Sequence, residues 1–245
     1  MKWWDCRELA WTLGVREIQV LHAGSIWSLL QPLFTTALLA VAFSSLLGTE
    51  ALYILSGLIP WVAVTGVLAR APLAVSGSAN LARTVAFPLE ALALRSLVVV
   101  LPAWGVGLAF LLIYTLWVRG ALPWTVFLLP LACGLQAAWM AGLALLLAAL
   151  GVYWAKLKEI TNLGIAAGIY LLPILYSPQA IPAPLRLVVQ FNPFSALVWT
   201  FQDIAYTGQL AHPGAWLCLA VVSLATLALG IRVFGRLRPG FGDLL

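Results

Sequence analysis

The residues that could do acid–base, nucleophilic or metal chemistry are few in this 245-residue chain. His22 and His212 stand far apart in sequence with no acidic neighbour, so no metal site is expected. Cys6, Cys133 and Cys218 are scattered and odd in number, and they form neither a disulfide framework nor a C-x-x-C pair. No G-x-x-x-x-G-K-[ST] phosphate loop occurs, so ATP hydrolysis is not expected of this chain. No H-E-x-x-H or paired-carboxylate motif occurs either. Glu50, Glu90, Glu159 and Asp203 sit at the ends of apolar runs or between them. A charge mid-span costs about 2.5–3.5 kcal/mol on insertion scales, and no apolar run here carries one in its middle third. That pattern speaks against a membrane-embedded hydrolase and against an ion-coupled carrier with a charged midplane site. The chain reads as a non-enzyme, and energy for any transport has to come from another subunit.

The elements around these residues belong to a membrane. Hydrophobic residues make up 63% of the chain and charged ones only 9%, against about a quarter charged in a soluble domain. The mean hydropathy is +1.03. Short alternating segments of the outer-membrane barrel kind are missing, so the fold class is all-α integral membrane. Six transmembrane helices are predicted, over 26–47, 51–71, 91–117, 124–154, 160–177 and 214–234. Six spans put both termini on one side. With that side cytoplasmic, Lys2, Arg7, Arg16, Arg70, Arg83, Arg95, Lys156, Lys158, Arg232, Arg236 and Arg238 lie inside. Arg119 and Arg186 lie outside, which completes the 13 basic residues. This asymmetry sets the orientation. The net charge of +5 therefore reflects topology, and no nucleic-acid partner is read from it. Lys2, Arg232, Arg236 and Arg238 are read as meeting anionic headgroups of membrane lipids.

Three segments are not spans. Residues 3–21 alternate a polar stripe (Asp5, Glu8, Thr12, Arg16, Gln19) with Trp4, Trp11, Val15 and Ile18. This predicts a helix lying in the membrane interface with Trp and Leu toward lipid. It carries too many charges for a signal peptide. Residues 78–88 carry Asn80 and Arg83 before a Phe87-Pro88 pair. Ser78 or Asn80 can cap a short helix there, Leu81 and Val85 stand at i and i+4, and Pro88 ends it. A solvated turn fits those residues equally well. Residues 178–213 are too apolar for a free loop and too interrupted by Pro178, Pro182, Pro184 and Pro193 for a span. They predict two short re-entrant helices, about 183–191 and 194–206, between the fifth and sixth spans. In the spans, Gly164/Gly168 and Ala138/Gly142 have the spacing that lets helix backbones approach.

A set of short motifs in order resembles the permease subunits of the ABC-2 class, in the branch that exports O-antigens, teichoic acids and related polysaccharides. They are Gly24-Ser25-Ile26-Trp27 with Leu30-Gln31-Pro32-Leu33, then Ser56-Gly57-Leu58-Ile59-Pro60-Trp61. Next come Asn80-Leu81 through Arg83 to Phe87-Pro88, and Val152-Tyr153. Pro173-Ile174 with Tyr176, Pro182, Asn192-Pro193 and Phe241-Gly242-Asp243 complete the set. The chain departs from that family at Ala155-Lys156, where an Arg-Asp pair is frequent, and at Gln202, where an Arg is common. The resemblance spans nearly the whole of 1–245, a single permease domain. It implies a homodimer bound to two separate ABC ATPase subunits, which would hold the ATP and Mg. It implies a lipid-linked glycan as substrate and a bacterial inner-membrane location. On this resemblance 78–88 becomes a coupling helix. Asn80, Leu81, Arg83, Val85 and Phe87, with Arg7, Glu8 and Arg16 of the interface helix, become contacts for the ATPase. Sugars offer apolar faces to aromatic rings, so Trp27, Gln31, Tyr170, Tyr176, Phe191, Phe194 and Trp199 are candidates for the substrate path. Another ABC-2 cargo, a lipid or drug, and a non-ABC channel are the alternatives.

Overall fold

The computed structural model describes residues 3–21, 27–78, 88–176 and 183–244. Among them the regular elements are all helical: α1 (Trp3–Leu21), α2 (Trp27–Leu47), α3 (Ala51–Arg70), α4 (Glu90–Arg119), α5 (Leu129–Tyr153), α6 (Leu157–Leu171), α7 (Ala183–Phe191), α8 (Pro193–Gln202), α9 (Pro213–Leu237) and α10 (Phe241–Leu244). Short 3-10 turns flank several of them, and Asp203–Thr207 continues α8 as a π turn. Among the described residues five helices are long and apolar enough to cross a membrane: α2, α3, α4, α5 with its preceding turn, and α9. The predicted span 160–177 is a helix of only 15 residues, α6, and it starts three residues earlier than expected. Its shortness has a local cause. Pro173 offers no N–H to the helix ladder and biases Leu172 to extended backbone, and the helix stops there with Leu172 at φ −109°, ψ 148°.

α3 is the centre of the bundle. Of its span, 78% is buried, against 11% for α2. Leu55, Leu58, Val64 and Val67 line a core shared with Met140 and Ala144 of α5, and with Leu197, Val198 and Phe201 of α8. Pro60 sits inside the unbroken helix, and the Gln136 amide from α5 donates to its carbonyl at 2.9 Å. α5 and α9 pack backbone to backbone. A Cβ on Gly142 would lie 2.6 Å from Leu227 N, and one on Gly230 2.6 Å from Gly142 O. Gly142 thus serves packing within the chain, and its small size is what lets the two backbones approach. In the other glycine pair, Gly168 receives the Trp61 ring of α3, while Gly164 faces open space.

α1 differs from expectation in what its apolar face touches. Ala10 and Gly14 press against the first turns of α4, opposite Ala91 and Val98. Leu9 and Leu13 are partly buried in the same contact rather than turned to lipid. Trp11 remains more than half exposed. A helix read only for polarity hides this stripe, because alanine and glycine look neutral in sequence and yet permit the closest approach.

Candidate functional sites at the two ends of the bundle

The turns of the chain collect polar groups at two opposite ends. One end gathers α1, the C-terminal ends of α3, α5 and α9, and the start of α4. Glu17 of α1 stands 2.8 Å from Arg95 of α4 and 3.7 Å from Arg70 of α3. Arg238 donates to Glu90 at 2.9 Å, and Tyr153 to the Leu237 carbonyl at 3.0 Å. Arg238, expected at lipid headgroups, has a carboxylate partner within the chain, as Arg95 does. The sequence marks Glu90 only as a charge at the end of an apolar run and assigns nothing to Glu17. Their partners lie 78 and 148 positions away, beyond any local pattern.

This end also fixes both flanks of the predicted coupling segment. On the near side, Ala74 and Val75 are buried among Leu92, Leu145, Phe234 and Phe241. On the far side Pro88 is buried, and its carbonyl accepts from Ala91 N at 3.0 Å. Asn80, Leu81, Arg83, Val85 and Phe87 themselves lie outside the described residues, as do the side chain of Arg7 and that of Trp27. Glu8 and Arg16 are exposed on α1.

The opposite end is knit by side chains that satisfy an irregular backbone. After α6 the chain continues through Leu172–Tyr176 without a helical ladder, and its carbonyls need other donors. The Tyr53 hydroxyl reaches the carbonyls of both Pro173 and Tyr176 at 3.0 Å. Gln202 Nε2 donates to Pro173 O at 2.9 Å, and Thr49 to Leu175 O at 3.4 Å. Gln202 is 2% exposed. A neutral amide does here what an arginine at this position could do only with a buried counter-charge.

Beside this knot, Asp203 is fully buried, and its carboxylate draws three groups together. It accepts from His212 N at 2.9 Å and from the Trp216 indole at 3.3 Å, and His212 Nδ1 lies 2.8 Å away. With the carboxylate as acceptor, Nδ1 carries the proton. The Trp199 ring stacks on His212, centroids 5.4 Å apart and 8° from parallel. The expectation that His212 lacks an acidic partner is therefore corrected: the π turn and the left-handed Gly208 (φ 69°) fold the chain back across nine positions. Thr125 donates to the Ile204 carbonyl at 2.8 Å and holds the π turn open. Burial pushes the Tyr206 hydroxyl above its ordinary value, the Glu50 carboxylate adds to the shift, and the phenol stays neutral. Among the described residues no cluster of three or more His, Cys, Asp and Glu is placed to hold a metal.

The candidate path residues do not converge within one chain. Phe194 is packed between Trp61 and Trp139, with centroids 5.5 and 4.7 Å away. Trp199 is engaged by His212. Tyr176 donates to the Tyr170 carbonyl at 3.1 Å, while the Tyr170 ring and Phe191 are exposed. Gln31 lines a cavity between α2, α3 and α4.

Comparison with known proteins gives a consistent picture. Residues 8–206 match the family model of the ABC-2 type transporter. Two Klebsiella pneumoniae proteins, each called O-antigen export system permease protein RfbA, are 22% identical over 230 and 234 residues. Each alignment covers 91% of this chain and 87% of the relative. A Myxococcus xanthus protein of the same name is 25% identical over 248 residues, covering 97% of this chain and 95% of its own.

Proposed function

The chain belongs to the ABC-2 type transporter family, and from that premise we propose that it is the transmembrane subunit of an ATP-driven polysaccharide exporter. The cargo is a glycan of the O-antigen or teichoic acid class on a lipid carrier, moved across a bacterial inner membrane. One observation carries this reading: relatives named O-antigen export permeases align along 87–95% of their own length. The apolar spans without midplane charge fit a long polar chain that needs a channel rather than a charged binding site.

ATP and Mg belong to a separate ABC ATPase. Its contact surface is the end that carries α1, with Arg7, Glu8 and Arg16 together with the 78–88 segment as its contacts. The anchoring of both flanks of that segment supports a role in passing force from an ATPase to α3 and α4. α6 together with Leu172–Tyr176 makes a sixth crossing. Its start adjoins the end of α5, and its far end is bonded to Tyr53 and Gln202 at the other end of the bundle. The excess of basic residues at the α1 end supports a cytoplasmic position for it, with α7 and α8 re-entering from the periplasmic side.

Two copies of the chain form the channel. Exposed apolar side chains on α2 (Leu38, Leu46) and α6 (Leu163, Tyr170, Leu171) support such a pairing. Tyr170, Tyr176 and Phe191 then face the path from one or both subunits, with Phe194 and Trp199 behind or beside them, while Gln31 lines the separate cavity between α2, α3 and α4. The test is reconstitution with the cognate ATPase in proteoliposomes. A lipid-linked polysaccharide should stimulate ATP hydrolysis and become accessible to a lectin on the far side. Stimulation by drugs or simple lipids alone would replace this cargo with the alternative one.

A further inference from the structure

A cavity of about 400 Å³ opens between α2, α3 and α4, a size within the range of ligand sites. Its walls are apolar and belong to Val62 and Ala63 of α3 and to Val99 and Ala103 of α4. Ile59 lines its deep end and Arg70 the other. The eleven residue steps from one to the other on one helix span about 16 Å at 1.5 Å per residue, close to the depth of one leaflet, about half of a 30 Å hydrocarbon core. The charged end is therefore at headgroup level and the apolar end near the midplane.

Among the described residues the mouth carries more positive than negative charge. Arg70 and Arg95 share one carboxylate, Glu17, which is 2.8 Å from Arg95 and 3.7 Å from Arg70. Arg70 is 43% exposed, and its planar fork of donors suits a phosphate. The Gln31 amide lines the cavity as well and adds a neutral polar group.

We propose that this slot seats one anionic phospholipid of the surrounding membrane, its acyl chain in the groove that α2 closes over the packed faces of α3 and α4 and its phosphate on Arg70. The inference rests on the chain spanning a bilayer and not on the identity of the cargo. The test uses the permease–ATPase complex, delipidated in detergent and titrated with phosphatidylglycerol or phosphatidylcholine under native mass spectrometry. The wild type should retain phosphatidylglycerol about fivefold better, the ratio that one basic residue at a membrane surface supplies. Arg70→Gln should bring the two lipids to parity, and Ala103→Phe should reduce retention of both by filling the slot. Arg70→Lys, which keeps the charge without the fork, should retain a preference for phosphatidylglycerol. Equal retention of both lipids by the wild type would overturn the proposal, as would phosphatidylglycerol retention unchanged in both Arg70→Gln and Ala103→Phe. Preferential displacement by a polyprenyl phosphate would also overturn it, by assigning the slot to a cargo carrier. None of these readouts involves export, so failure here is distinct from failure of the exporter reading.

Discussion

Asp203 is the residue on which the most local structure depends. It is a fully buried carboxylate that takes N–H groups from His212 and Trp216. Asp203→Ala leaves those donors without their acceptor and opens space under the Trp199–His212 stack. An unsatisfied buried donor costs about 1–3 kcal/mol, so the variant should lose about 2–3 kcal/mol, read as a lower thermal midpoint in detergent. A midpoint equal to that of the wild type would show that solvent replaces the carboxylate. The sequence showed Asp203 only as an acid between two apolar runs. Its burial depends on the π turn, which no residue pattern announces.

At the scale of elements, α1 and the 78–88 segment carry the mechanical argument. α1 is held on α4 by a tight Gly14–Val98 contact and by the Glu17–Arg95 pair. Both charged side chains are partly exposed, so the pair contributes about 1 kcal/mol at most, while the apolar contact supplies the larger part. Glu17→Arg should loosen α1, seen as a broadened spin-label distance between α1 and α4, and Arg95→Glu in the same chain should restore it. If the double swap behaves like Glu17→Arg alone, Arg95 is not the partner that matters. For the 78–88 segment, Arg83→Glu or Phe87→Ala should reduce ATPase co-purification, or leave hydrolysis running without export, with membrane insertion unchanged. Unaltered co-purification and export in both variants would remove the coupling role. Pro88 and the polar break were readable in sequence. That Val75 and Pro88 anchor the two flanks was not, because their neighbours come from α4, α5, α9 and α10.

For the whole molecule, the arrangement of two polar ends predicts sidedness. In a background lacking Cys6, Cys133 and Cys218, a cysteine at Gln209 should react with an impermeant maleimide from the periplasmic side of intact spheroplasts. A cysteine at Lys158 should react only after permeabilisation. Both positions are exposed, so accessibility reports topology rather than burial. Reaction of both from the same side would mean that α6 and its extension do not cross.

The sequence by itself determined the membrane as solvent, the helical class, the N-terminal helix, the break at 178–213 and its division into two short helices, and the resemblance to the family that comparison then showed. These follow from composition, from long apolar runs and from the positions of proline and charge, all of which are local. The tertiary structure decided which helix lies at the centre, why α6 ends at Leu172, and where each charge finds its partner. It also decided that a leaflet-deep slot exists beside Arg70. Apolar side chains are nearly interchangeable in a bilayer, so hydropathy does not tell a helix packed on all sides, such as α3, from one turned outward, such as α2. Small residues and long-range pairs make that choice. Gly142 against Gly230, Gly14 against Val98, Gln202 on Pro173 and Glu17 on Arg95 each join positions far apart in the chain, and they become visible only when the helices are side by side.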